Sequence, residues 1–257
     1  MRQFLSILSL LSCVLATSAA EPGMLVVVGG GTVPREALRQ LVESGGGKKA
    51  RVVIVPFASE EKTPADSLVE MFKPFGVRSI EVLTETNRVS SQAALKQATA
   101  IWFRGGSQTR LMHFLNELGL AEVIQKRHAQ GIAVGGTSAG AAVMSRTMIA
   151  SNGDTPDAPP KISEGLGLWP EVMVDQHFTQ RKREPRLRRA VKLHPERPGV
   201  GIDEDTAAVV RGKKFETVGS GQIKVIDGRS DKDDPLVTIL SAGQKHSISA
   251  KAKIGKR

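Results

Sequence analysis

Residues 132–140 read Ile132-Ala133-Val134-Gly135-Gly136-Thr137-Ser138-Ala139-Gly140: a short apolar run, two glycines, then a serine flanked by small residues. The run from Ile132 to Gly135 predicts a buried strand, and the residues that follow predict a helix. Between them, Gly136-Thr137-Ser138-Ala139-Gly140 matches G-x-S-x-G, the pattern of a sharp strand-to-helix turn. Small flanking residues permit the turn, which would hold Ser138 strained with its hydroxyl exposed. The N–H of Ala139 would then face the oxygen of a reacting carbonyl. A second donor is expected from the Gly105-Gly106 pair at another strand end, taken here as Gly106.

Working outward, the same alternation repeats. Met24 to Val28, Arg51 to Val55, Ser79 to Leu83 and Ala100 to Phe103 read as strands. Pro34 to Ser44, Ala65 to Lys73, Ser90 to Ala98 (with a serine cap), Gln108 to Leu118 and Leu120 to Gln130 read as helices. This predicts an α/β fold: a mostly parallel sheet with helices on both faces and its site at the carboxyl ends of the strands. From Thr206 the texture changes. Thr206 to Arg211, Lys214 to Val218, Gln222 to Ile226 and Leu236 to Leu240 predict hairpin strands, a C-terminal β-rich extension. Ser151 to Pro160 is turn-rich and predicts a surface loop. With no internal repeat or long linker, residues 21–257 read as one domain.

The chain has 257 residues, of which 40% are hydrophobic and 24% charged, a globular composition. Its formal net charge of +10 favours anionic partners. Nucleic acid is disfavoured, because aromatics are only 4% and tyrosine is absent, leaving no stacking platform. Arg2, the apolar run Phe4 to Ala16 and the small residues Ser18-Ala19-Ala20 predict a signal peptide over residues 1–20, hence export to the periplasm or beyond. No later stretch is apolar and long enough to insert in a membrane. Cys13 is the only cysteine and falls in that leader. The mature chain would therefore hold no disulfide, thiolate nucleophile or cysteine metal site. No histidine–carboxylate cluster has metal-ligand spacing, and no cofactor is implied.

A serine nucleophile needs a base. Of five histidines, His113 and His128 fall in predicted helices, His246 in a lysine-containing tail, and His194 before Pro195. His177 follows the apolar Val172-Met173-Val174 within Asp175-Gln176-His177-Phe178, at a strand end. Spacing alone leaves a structural and a catalytic role for it equally open. An orienting carboxylate is offered by Gly201-Ile202-Asp203-Glu204-Asp205, where spacing does not choose among three adjacent acids. The order Ser, His, acid also differs from the Ser, acid, His order of α/β-hydrolases.

Taken together, GGTSAGAAVM around Ser138, VDQHFTQRKR around His177 and GIDEDTA around Glu204 resemble the signature blocks of the cyanophycinase and aspartyl dipeptidase family of serine peptidases. The cyanophycinase branch is the more similar, and the likeness covers most of the mature chain. The resemblance implies a fold like that of class I glutamine amidotransferases, which carry cysteine where Ser138 stands. It implies Ser138 as nucleophile, His177 as base and Glu204 as orienting acid. It also implies Gln108, Asp175, Gln176, Arg181, Arg183 and Arg186 as substrate-pocket residues. The substrate class it implies is cyanophycin, a polyaspartate bearing arginine on each β-carboxyl, with small Asp-containing peptides as the alternative. Guanidinium forks suit aspartate carboxylates, and Asp175 is expected to meet a substrate guanidinium. There are departures: the family often has glycine where Lys182 stands, a glycine-containing stretch where Glu184-Pro185 stands, and aspartate where Ser107 stands. The oligomeric state is left open, a homodimer included.

Overall fold

A computed structural model describes residues 21–60, 65–155 and 157–248. The signal peptide expected over residues 1–20, with Cys13, lies outside the described residues. In chain order the elements are β1 (Leu25–Val28), α1 (Arg35–Ser44), β2 (Arg51–Val55), α2 (Ala65–Glu70), β3 (Ser79–Val82), α3 (Arg88–Gln97) and β4 (Ala100–Phe103). Next come α4 (Gln108–Glu117), α5 (Ala121–Ala129), β5 (Ala133–Thr137), α6 (Ala139–Ala142), β6 (Thr147–Ser151), β7 (Lys161–Glu164) and β8 (Met173–Gln176). The chain continues with α7 (Glu184–Leu193), β9 (Gly199–Ile202), β10 (Thr206–Arg211), β11 (Lys214–Gly219), β12 (Ile223–Asp227), β13 (Leu236–Leu240) and β14 (Lys245–Ser247).

The fold is mixed α/β around a large, mostly parallel sheet of order β14-β11-β10-β1-β5-β4-β2-β3. The run from β1 to β3 is parallel, while β10, β11 and β14 are antiparallel. A second sheet has the order β13-β12-β9-β8, and β6 and β7 form a separate antiparallel pair. Because side chains alternate across a strand, both faces of the large sheet must be covered. Leu25, Val27, Val53, Val55, Ile101 and Phe103 pack on one face, with residues of α3, α4, α5 and the second sheet. Val26, Val28, Val52, Ile54 and Trp102 pack on the other, with α1 and Phe72. A third cluster joins α7, through Leu187, Ala190 and Val191, to Met173 and Ile226 of the second sheet.

Several boundaries differ from those expected, each for a local reason. The third helix is capped by Asn87, whose side chain accepts the N–H of Ser90 at 2.9 Å, so Ser90 lies inside the helix rather than capping it. The second helix stops at Glu70, and Lys73–Phe75 is a separate 3₁₀ turn ending at Gly76. Pro74 has no N–H to continue an α-ladder. β8 runs on through Asp175 and Gln176, which are polar yet buried. The turn-rich Ser151 to Pro160 segment joins β6 to β7, a hairpin with no hydrophobic alternation in its second strand. The strands after Thr206 divide between both sheets instead of hanging from one edge.

The step from β5 into α6 depends on close approach. A Cβ on Gly140 would lie 2.6 Å from both the Cβ and the carbonyl oxygen of Phe103 in β4. Backbone cannot yield there as a flexible side chain would. Gly140→Ala is therefore expected to destabilise the fold by about 2 kcal/mol, read as a lowered urea midpoint at unchanged m-value.

Candidate active site

The site is assembled on the end of β1 and the two glycines that follow it. The carbonyl of Val28 accepts the N–H of Ser138 at 3.0 Å, that of Gly29 accepts the N–H of His177 at 2.6 Å, and that of Gly30 accepts the N–H of Asp205 at 2.9 Å. Three segments remote in sequence thus converge on three successive backbone acceptors. Ser138 is the N-cap of α6 with φ 55° and ψ −112°, a conformation L-residues rarely adopt. His177 and Asp205 also have positive φ, 47° and 56°.

The side chains then meet. Ser138 Oγ lies 2.8 Å from His177 Nε2, and His177 Nδ1 lies 2.5 Å from Glu204 Oε1. With a carboxylate at Nδ1, that nitrogen carries the proton and donates, leaving Nε2 to accept from the serine hydroxyl. Burial pushes the His177 pKa below the ordinary imidazole value; the hydrogen bond to Glu204 raises it, and the charges of Arg181 and Arg183 lower it. The imidazole is therefore neutral at neutral pH. The other histidines are held elsewhere: His128 Nδ1 against the Ile132 carbonyl, His113 beside Glu117, His194 beside Glu196, and His246 against Phe215.

The three adjacent acids separate by role. Only Glu204 reaches His177. Asp203 is buried and accepts the N–H groups of Thr179 (3.0 Å) and Gln222 (3.2 Å), bracing the turn after His177. Asp205 accepts the N–H of Thr32 at 2.5 Å. Gln180, unremarked in the sequence reading, accepts the Glu204 N–H at 3.0 Å.

Beside Ser138, Ala139 opens α6, so its N–H lies outside the helix ladder. Gly105 adjoins the serine closely: a Cβ there would sit 3.8 Å from Ser138 Oγ. Gly106, at φ 144°, turns the chain toward Ala58, whose carbonyl accepts the Ser107 N–H at 2.7 Å.

The expected substrate-pocket residues fall into two layers. Asp175 is wholly buried and bound by Arg186, with Nε to Oδ2 at 2.8 Å and Nη2 to Oδ1 at 2.5 Å. Arg183 approaches the same carboxylate at 3.4 Å. Asp175 is thus internally neutralised and does not face a substrate guanidinium, contrary to expectation. Gln176 is likewise buried, its Oε1 accepting from Arg183, which also donates to the Gln176 carbonyl at 2.6 Å. Burial, with Arg186 and Arg181 nearby, pushes the Arg183 guanidinium down to about 10, while Asp175 opposes the shift. Gln108 directs its amide N–H groups at the Ile149 (3.0 Å) and Ala150 (2.7 Å) carbonyls, tying α4 to β6. Arg186 is buried and reaches Asn152 Oδ1 at 2.7 Å, a partner that no sequence signal marks within its turn-rich loop. Arg181 is exposed. Arg181, Arg183 and Arg186 line one cavity of about 650 Å³ together with Asn152 to Thr155. Among the described residues, no group of three or more His, Cys, Asp or Glu could hold a metal ion.

The imidazole has no room to move toward β1. A Cβ on Gly30, at φ 121°, would lie 2.2–2.6 Å from three atoms of the His177 ring. Gly30→Ala is expected to turn that ring off Ser138 and to lower labelling of Ser138 by a fluorophosphonate probe about 100-fold, with the far-UV spectrum retained.

Comparison with known proteins places this geometry in a family. Residues 25–218 match the model of peptidase family S51. The chain is 41% identical over 207 residues to a cyanophycinase of Geminocystis herdmanii (strain PCC 6308), covering 76% of each chain. It is 26% identical over 201 residues to a Peptidase E of Nostoc sp. (strain PCC 7120), covering 74% of this chain and 81% of that one. Among solved structures, a peptidase from an acI-B1 Actinobacterium superposes with a TM-score of 0.69 at 25% identity, covering 90% of this chain and 98% of the other. The chain belongs to peptidase family S51 and is a serine-type peptidase.

Proposed function

We propose that this peptidase hydrolyses cyanophycin to β-Asp-Arg dipeptides through Ser138, His177 and Glu204. The observation that carries the proposal is the continuous hydrogen-bonded chain from Ser138 Oγ through His177 to Glu204, at 2.8 and 2.5 Å. In the proposed route Ser138 Oγ attacks the scissile carbonyl carbon while His177 Nε2 takes the hydroxyl proton. The N–H groups of Ala139 and Gly106 stabilise the oxyanion. His177 returns the proton to the leaving amine, leaving Ser138 acylated. A water molecule, deprotonated by His177, then releases the acid product. Glu204 holds the imidazole tautomer and stabilises the imidazolium that forms.

The substrate reading draws support from the likeness to cyanophycinases and from the cationic cavity. Arg181 and Arg183 supply forks for substrate carboxylates, and Arg186 lines the same cavity, with Asp175 and Gln176 bound to these arginines; Gln108 braces β6 nearby. A second reading, a dipeptidase acting on small N-terminal-Asp peptides, is favoured by the likeness to Peptidase E. The fold we propose is that of the class I glutamine amidotransferases, with serine at the elbow and residues 21–257 as one domain. Export is proposed from the composition of residues 1–20 alone. No nucleic-acid partner is proposed.

Incubating residues 21–257 with insoluble cyanophycin, beside the Ser138→Ala protein, tests the reading. Soluble β-Asp-Arg, read by mass spectrometry, is expected from the wild type only. Cleavage of small Asp peptides with the polymer left intact would favour the dipeptidase. No hydrolysis of either would sink the catalytic assignment.

The pH profile gives an independent check. The base must be neutral, so kcat/KM is expected to rise with pH along an acid limb below the free-histidine value of about 6.5. The Arg181 charge disfavours the imidazolium. Arg181→Gln should therefore move that limb to higher pH; an unmoved or lowered limb would contradict the electrostatics.

A further inference from the structure

The chain after β8 and the chain after β9 are laced together step by step. The two strands run parallel, and their pairing ends with Gln176 opposite Ile202. His177 then turns aside with φ 47°, and one further backbone bond follows, from the Phe178 N–H to the Ile202 carbonyl at 3.1 Å. Side chains carry the pairing on from there. The Thr179 N–H donates to Asp203 Oδ1 at 3.0 Å, and the Glu204 N–H donates to Gln180 Oε1 at 3.0 Å. Residues 178, 179 and 180 thus meet 202, 203 and 204 in turn.

The last of these contacts bears on Glu204. Its side chain is 33% exposed, and among the described residues its carboxylate has His177 as its one hydrogen-bond partner. Water competes for a carboxylate so placed, and its aim at His177 depends on where its backbone stands. Three bonds set that backbone. The Glu204 N–H is held by Gln180, and the Glu204 carbonyl accepts Thr206 Oγ1 at 3.0 Å. The following N–H, of Asp205, is held by the Gly30 carbonyl at 2.9 Å. Of the three partners, Gln180 alone belongs to the turn that begins at His177, so it ties the base's own segment to the backbone of the acid. Thr206 is buried, whereas Gln180 is exposed and open to substitution without disturbing the core.

We propose that Gln180 is a positioning residue for catalysis: by accepting the Glu204 N–H it holds the Glu204 carboxylate against His177 Nδ1. The inference rests on the Ser138, His177 and Glu204 reading proposed above. The neutrality of the amide matters as much as its reach. A carboxylate at this position would accept the same N–H, but it would add a negative charge beside Glu204 and favour the imidazolium. The base must be neutral to take the serine proton. Glu204, Arg181 and Arg183 are the charged groups that act on His177, and an amide leaves their balance untouched.

The rate at which a fluorophosphonate probe labels Ser138, followed across pH, tests this without any peptide substrate. Gln180→Met keeps the length of the side chain and removes the acceptor. It is expected to slow labelling about tenfold at neutral pH. Its acid limb should move to lower pH, because a loosened Glu204 supports the imidazolium less. Gln180→Glu restores the acceptor, so labelling above the limb is expected within about threefold of the parent, with the limb moved to higher pH. A merely structural role would not move the two limbs in opposite directions. In a Glu204→Gln background, Gln180→Met is expected to cost less than about twofold more, because the two residues act through one contact. Parent-like labelling by Gln180→Met, limbs that stay in place or move together, or the full tenfold loss in the Glu204→Gln background would each overturn the proposal. A Glu204→Gln protein that labels like the parent would sink the triad reading itself, and this inference with it.

Discussion

The site depends on three consecutive carbonyls. Val28, Gly29 and Gly30 leave the end of β1 and receive the N–H groups of Ser138, His177 and Asp205. β1 lies between β5 and β10, so its carboxyl end is the one place where the elbow after β5 and the acidic segment before β10 are both neighbours. The second sheet delivers His177 from the end of β8, and Val174 is tied to Ser145 just beyond the elbow. Backbone bonds of this kind fix where a Cα stands whatever its side chain is. The arrangement also forbids side chains on the hub itself: a Cβ on Gly29 would meet the Asp203 carbonyl oxygen at 2.1 Å, and one on Gly30 the His177 ring.

A second constraint is electrostatic. Arginines beside a buried carboxylate are stable only if their donors are satisfied, since removing charges from water costs several kcal/mol per ion. Asp175, with no exposed side-chain surface, meets that condition by binding Arg186 through both oxygens, while Gln176 and Asn152 take further N–H groups. The result is an inner layer in which Arg183 and Arg186 share one carboxylate and two amide oxygens, beneath an exposed outer pair, Arg181 and Lys182. Rigid forks hold the cavity wall in shape before any ligand arrives, which lowers the ordering cost of binding.

Much of this was legible in the sequence, for identifiable reasons. Strands buried on both faces read as unbroken apolar runs, and β1, β2, β4 and β5 do so. Ser138 was legible because its turn chemistry is local: small residues on either side of a strand–helix junction. His177 was only half legible, since its partner on each nitrogen is far away in sequence. Choosing among Asp203, Glu204 and Asp205 was beyond local reading, because backbone bonds to Gly30, Thr179 and Gln222 decide which way each carboxylate points. Asp175 was placed in the substrate pocket by resemblance alone, and its pairing with Arg186 was not legible, because nothing local reveals that a residue eleven positions on packs against it. The β6–β7 hairpin was invisible for a plainer reason: β7 is largely exposed and carries no alternation.

The left-handed residues show how these constraints combine. Among the described residues, four non-glycines have positive φ: Ser138, His177, Lys182 and Asp205. Such conformations cost about 1–3 kcal/mol each and persist only where the surroundings over-determine them. Three of the four are held directly by the carbonyls of Val28, Gly29 and Gly30 at and just beyond the end of β1, and the fourth lies in the turn that His177 begins. The strain is therefore carried by the sheet and not by the substrate. Serine and imidazole already stand at 2.8 Å in the free protein, and no binding energy is needed to bring them together. What remains adjustable is the proton affinity of His177. Burial and the neighbouring arginines lower it, and Glu204 raises it. Because these influences oppose one another, burial and the arginines favour the neutral base at rest, while the carboxylate already on Nδ1 stabilises the imidazolium once Nε2 takes the proton, which is the balance a serine nucleophile requires.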